Sequence, residues 1–179
     1  VNNIGKKAYD PNQNENSLGM SPRATEAARK ALALGHRYPD EHVAALGAEL
    51  ARREGLLPEN IGVSNGSTQI IEAIVRVQAD KRATIVAPAI TYGQAQELAA
   101  NWRMSYHVVP MGEDFKMELA AMEAASLAID GAVLVYLVSP NNPTGRLTPS
   151  DAIAAWVKRA PDNVFFLIDE AYHDLVSDP

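Results

Sequence analysis

Ala132-Val133-Leu134-Val135-Tyr136-Leu137-Val138-Ser139-Pro140-Asn141-Asn142-Pro143-Thr144-Gly145 and Val164-Phe165-Phe166-Leu167-Ile168-Asp169-Glu170-Ala171-Tyr172 are two apolar runs, each ending abruptly in a polar turn. Runs this short, bounded by turn residues, read as strands rather than helices. Neither shows the alternation of a strand with one wet face, so both are expected to be covered on two sides, as in a parallel sheet. Between them Thr148, Pro149 and Asp151 mark the start of a helix over 149–159, with Thr148 as cap and Asp151 at the capping-box position. Its apolar face is Ile153, Trp156, Val157 and Ala160. Strand, helix and strand in this order make a crossover unit, which means parallel pairing.

The pattern extends toward the N-terminus. Strands are expected over 61–63, 83–87 and 106–109, and helices over 68–77, 93–101 and 118–127. Repeated alternation of this kind is an α/β fold, a mostly parallel sheet with flanking helices. Before it, residues 1–20 are polar and carry turn formers such as Asp10-Pro11-Asn12, which read as an irregular arm. Ser21 caps a helix with Pro22 at its first position, and Gly35 closes it. A second helix starts at Asp40, places Val43, Leu46, Gly47 and Leu50 at helical spacing, and ends at Gly55.

Composition narrows the function classes. With 179 residues, 47% hydrophobic and 21% charged, the chain has the make-up of a globular domain or part of one, not of a disordered, collagenous or coiled-coil protein. A net charge of −6 argues against nucleic acid or an anionic membrane as partner. No apolar run approaches the roughly 20 residues that cross a bilayer. The absence of cysteine excludes disulfides, thiolate metal sites and a cysteine nucleophile. His36, His42, His107 and His173 form no pair with metal-ligand spacing, so no metal is expected. The sequence begins at Val1 without a methionine or a basic-then-apolar leader, and any start or targeting segment is expected to have been removed.

In open α/β sheets ligands bind beyond the carboxyl ends of the strands, so the turns that follow the apolar runs are the candidates. Ser64-Asn65-Gly66-Ser67-Thr68 leads into a helix, and its backbone N–H groups with the helix dipole suit a phosphate; ordinary capping is the alternative. Ser139-Pro140-Asn141-Asn142-Pro143 makes a stiff turn able to hold a side-chain amide at the sheet edge. Asp169 stands at the end of a buried strand, where a carboxylate is costly unless something cationic faces it.

These turns occur in order with three further motifs: Asn14-Glu15-Asn16-Ser17-Leu18-Gly19, Arg37-Tyr38-Pro39-Asp40 and Thr91-Tyr92-Gly93. With Asn65-Gly66-Ser67, Asn142-Pro143-Thr144-Gly145 and Asp169-Glu170-Ala171-Tyr172, the chain resembles the pyridoxal 5'-phosphate (PLP) dependent aminotransferases of fold type I, class I/II. Within them it is most similar to the histidinol-phosphate aminotransferase branch. The resemblance implies an incomplete PLP-binding large domain over 36–179, preceded by an arm and helix over 1–35. It implies transfer of an amino group from an amino acid or amino-alcohol phosphate to a 2-oxo acid, in a cytoplasmic homodimer. Decarboxylases and lyases share the motifs, because the cofactor is the electron sink and the protein selects the bond that breaks. A non-catalytic PLP-fold regulator domain is the alternative outside enzymes.

Roles follow by resemblance. Asp169 would face the pyridine nitrogen and keep it protonated, and Asn142 and the Tyr172 hydroxyl would bond the phenolic oxygen. Backbone N–H groups at Gly66, Ser67 and Thr68 would hold the phosphate. Tyr92 would stack on the ring, or Ile90 if counted strictly from Pro88. Tyr38 would reach the phosphate of the neighbouring subunit's cofactor. The family's cofactor-bearing lysine follows the motif at Asp169, whereas Lys6, Lys7, Lys30, Lys81, Lys116 and Lys158 all precede it and read as solvated charges. Arginines for the phosphate and the substrate carboxylate, and a small C-terminal domain, are expected beyond the same point. The last two strands of the family's sheet insert between strands present here, so the chain is expected to be the N-terminal part of a longer polypeptide, inactive by itself.

Overall fold

The computed structural model of the chain describes residues 14–16 and 18–176. Lys6, Lys7, the turn at Asp10 and Ser17 of the first motif lie outside the described residues. The chain divides after Val63 into two compact units.

In the first unit, α1 (Pro22–Leu32) begins as expected: the Ser21 hydroxyl accepts the Ala24 N–H at 3.2 Å and Pro22 opens the helix. It ends at Leu32, before Gly35. Helix α2 (Asp40–Glu54) carries Asp40 and Glu41 in its first turn and Arg52 and Arg53 in its last, matching the helix dipole at both ends. Gly55 closes it with φ 68°, a left-handed conformation that glycine adopts without strain. The strand expected over 61–63 does not form. Ile61 has extended dihedrals, φ −110° and ψ 123°, but extended backbone without a ladder partner is not a strand, and none is found among the described residues.

The second unit is built on a four-stranded sheet: β1 (Thr84–Pro88), β2 (Tyr106–Val109), β3 (Val133–Val138) and β4 (Val164–Asp169), in the order β2-β1-β3-β4 and parallel throughout. Helices α3 (Ser67–Asp80) and α4 (Gln94–Asn101) cover one face; α5 (Leu119–Leu127) and α6 (Ser150–Arg159) cover the other. Strand alternation explains the two cores. Leu134, Tyr136 and Val138 of β3 meet Ile71 and Val75 of α3 and Ala95 and Ala99 of α4. Val133, Val135 and Leu137 meet Met122 of α5 and Ile153 and Trp156 of α6. All of β3 is buried, as its unbroken apolar sequence requires.

Two sequence expectations need correction. Strand β4 is not covered throughout: it is an edge strand, and Phe165 is 45% exposed, although Phe166 packs edge-on against Trp156 at 4.9 Å. Helix α6 starts at Ser150, and Thr148 is not its cap. Thr148 is buried, and its N–H donates to the Ser139 hydroxyl at 3.0 Å, tying the two ends of the loop after β3 together.

Strand order positions the site. From β1 the chain crosses to β2 on one side, and from β3 to β4 on the other. The loops leaving β1 and β3 therefore part, and a crevice opens at the carboxyl ends of these neighbouring strands.

Candidate active site

Asn141 fastens the crevice. It is 2% exposed, and its Nδ2 donates to the Ile90 carbonyl and to the Thr144 hydroxyl, both at 2.9 Å. Its Oδ1 accepts the Thr91 hydroxyl at 2.9 Å, so one amide joins the loop after β1 to the loop after β3. The backbone bonds Gly145 N–H to Asn141 O (2.7 Å) and Asn141 N–H to Arg146 O (2.8 Å) close the second loop on itself. Both Ser139–Pro140 and Asn142–Pro143 are cis. Asn142, the candidate from sequence, follows Asn141 and is half-buried. Two adjacent asparagines were legible; which one the loop would bury was not.

Asp169 ends β4 in register with Val138 and is 6% exposed. Its side chain lies on the face of Leu167, which belongs to the core beneath α3 and α4. Oδ1 accepts the Ala171 N–H at 3.1 Å, and Oδ2 accepts the Tyr136 phenol at 3.5 Å. No cationic side chain pairs with Asp169 among the described residues. A buried carboxylate with two neutral donors is incompletely compensated, and it can accept a further, charged donor. Burial holds the Tyr136 phenol well above its ordinary pKa, and the charge of Asp169 adds to this, so the phenol remains a donor. Burial also pushes Tyr106 up to about 12.

Tyr92 packs against the core cluster that contains Tyr136, whereas Ile90 is 39% exposed and its carbonyl is taken by Asn141. The structure thus brings Tyr92 to the sheet face of Asp169. Tyr172 is half-buried, three residues beyond Asp169. Tyr38 belongs to the first unit and is 92% exposed.

The turn before α3 leaves the helix start open. Gly66 has φ 79° and ψ 173°, and no side chain caps the helix. Ser67 and Thr68 are exposed, and their N–H groups open the helix at its positive end. The Gln69 Oε1 accepts the Ser64 hydroxyl (2.6 Å) and the Asn65 N–H (3.1 Å), which folds the turn back over the helix. Gln94 at the start of α4 donates Nε2 to the Thr68 carbonyl at 2.7 Å, while its Oε1 is buried without a partner among the described residues. Gly66→Ala forces a side chain into a region that is essentially glycine-only, so it should cost about 1–3 kcal/mol of stability, read by chemical denaturation. An unchanged stability would mean that the turn does not require this backbone.

Lys81 follows the last turn of α3 and Lys158 lies in the last turn of α6. Lys158 also lines a cavity of about 300 Å³ with Ile153, Val157 and Ile168, and Ile168 packs on the α6 side of the sheet. Among the described residues no group of three or more His, Asp or Glu is placed to hold a metal ion, and no helix is long and apolar enough to cross a membrane.

A parallel α/β sheet with a buried acid, a bridged crevice and an open helix start at one end defines a ligand-binding site of the switch-point class. The chain belongs to the family of aminotransferases class I and II, which matches residues 8–179. It is 33% identical over 168 residues to a histidinol-phosphate aminotransferase of Symbiobacterium thermophilum, covering 94% of this chain and 46% of that protein. A solved structure from Erwinia carotovora atroseptica, provisionally described as a histidinol-phosphate aminotransferase, superposes with a TM-score of 0.88 at 38% identity over 93% of this chain and 48% of that one. The histidinol-phosphate aminotransferase of Sinorhizobium meliloti, solved in complex with pyridoxal-5'-phosphate, superposes with a TM-score of 0.83 at 28% identity over 90% of this chain and 43% of that one. The chain thus spans just under half the length of these relatives.

Proposed function

We propose that residues 1–179 form the N-terminal part of a PLP-dependent aminotransferase that moves an amino group from an amino acid or amino-alcohol phosphate, histidinol phosphate first among them, to a 2-oxo acid. The observation that carries this reading is Asp169: a buried carboxylate without a cationic partner among the described residues, on the sheet face of Tyr92, at the carboxyl end of β4 beside β3. Family membership and the names of the relatives support the reaction class, and the S. meliloti complex supports the cofactor.

When bound, PLP supplies the electron sink for the pair released at the substrate's α-carbon. Asp169 holds a proton on its ring nitrogen, where a carboxylate in a water-poor site is most effective. Asn142 and the Tyr172 hydroxyl bond the phenolic oxygen and fix the tilt of the ring. The N–H groups at Gly66, Ser67 and Thr68 hold the phosphate at the start of α3. Tyr92 covers one face of the ring and excludes water. Tyr38 serves the phosphate site of a second subunit, which makes the enzyme a homodimer with shared sites. In the same proposal, 36–179 belong to the large domain, the cofactor-bearing lysine lies beyond Tyr172 outside these residues, and the compartment is the cytoplasm.

The test uses the full-length holoenzyme with histidinol phosphate and a 2-oxo acid, following both products by mass spectrometry. Appearance of the new amino acid is the expected result. Release of carbon dioxide without amino transfer would move the protein to the decarboxylases of the same fold, and failure to bind PLP would reject the reading.

A further inference from the structure

Tyr136 is the one phenol set within the unbroken apolar run of β3, and it is fully buried. A buried tyrosine hydroxyl needs a partner, and here the partner is Asp169, 33 residues away in sequence. Register explains how they meet. Val138 pairs with Asp169 and Tyr136 with Leu167, so Tyr136 and Asp169 are diagonal neighbours on one sheet face. The tyrosine is long enough to cross that diagonal along the sheet, and its ring packs in the core shared by α3 and α4.

We propose that Tyr136 is the positioning residue of Asp169. Its phenol donates to Oδ2 and the Ala171 N–H donates to Oδ1, and between them they fix the plane of the carboxylate toward the crevice. The remaining lone pairs face the incoming cationic N–H. Tyr92 and Tyr106 stand near the same phenol, and among the described residues Asp169 is the carboxylate that acts on it. The inference rests on the reading of Asp169 given above.

Tyr136→Phe removes the hydroxyl and leaves the ring in place, so the fold is retained. In the full-length holoenzyme, nitrogen-15 NMR of labelled PLP reads the ring nitrogen directly. The expected result is a shift of that resonance toward the unprotonated value, with kcat lowered about tenfold, the low end for a hydrogen bond to a charged group because 3.5 Å is a long O–H···O span. In an Asp169→Asn background the same change should lower kcat by about twofold or less, because a residue acting only through Asp169 loses its effect when the carboxylate is gone. A resonance and kcat unchanged in Tyr136→Phe would overturn the proposal while leaving Asp169 in place. Equal effects in both backgrounds would overturn it in favour of a packing role. A wild-type enzyme whose ring nitrogen is unprotonated would overturn the reading of Asp169 and this inference with it.

Discussion

Asp169→Asn should leave PLP bound and reduce amino transfer by roughly 10² to 10⁴, the rate equivalent of about 3–5 kcal/mol for removing one partner of a buried ion pair. The amide keeps the shape and still accepts the Ala171 N–H, so the turn after β4 is preserved. It loses the charge that holds a proton on the ring nitrogen. Binding should survive because, in the proposed site, the phosphate contacts come from the start of α3 and the phenolic contacts from Asn142 and Tyr172, none of which the substitution removes. Cofactor content after denaturation and kcat in the full-length enzyme separate these effects. Activity within about threefold of wild type, well under 1 kcal/mol by the rate relation, would show that Asp169 does not face the ring nitrogen.

Asn141→Ala should be the most damaging change that touches no ligand. It leaves the Ile90 carbonyl and the Thr91 hydroxyl without their partner and removes the side-chain tie between the two crevice loops. These bonds are partly buried, and losing a hydrogen bond costs about 0.5–1.5 kcal/mol, so a loss of about 1–3 kcal/mol is expected by denaturant titration. PLP affinity should fall as well, because Tyr92 and Asn142 stand on the two loops that part. Asn141→Asp sharpens the argument. An ionised carboxylate accepts from Thr91 but cannot donate to the Ile90 carbonyl, so this variant should be least stable at neutral pH. Its folded-state pKa is raised by burial next to a carbonyl, so stability should recover as pH falls through that pKa and the acid gains a donor. A pH-independent loss would contradict the bridge.

How much of this was legible in the sequence depends on range. The unbroken apolar run of β3 announced a strand covered on both faces, and the polar turns after the strands announced where ligands bind. Helix starts were readable where the signal is local, as at Ser21, and misread where it is not. Thr148 looks like a cap, but it is buried in the loop after β3 and the helix begins at Ser150 without a side-chain cap. Residues 61–63 have strand composition, yet a strand exists only with a partner, and composition carries no information about partners. The edge position of β4 was hidden for the same reason, since its sequence is as apolar as that of β3. The sharpest limit is at the site. Asp169 was evident as an acid at the end of a strand, whereas Tyr136 is joined to it through register. Asn141, not Asn142, is buried because the loop closes on it. That Tyr92 packs on the core while Ile90 offers its carbonyl to Asn141 was equally beyond local pattern.

The central claim is that these residues furnish the cofactor-holding face of an aminotransferase whose lysine lies outside them. Borohydride reduction of the full-length holoenzyme, followed by peptide mapping for the pyridoxyl group, tests it most directly. The account predicts a single modified lysine beyond Tyr172 and outside residues 1–179. A label on Lys6, Lys7, Lys30, Lys81, Lys116 or Lys158, or no label at all, would contradict it.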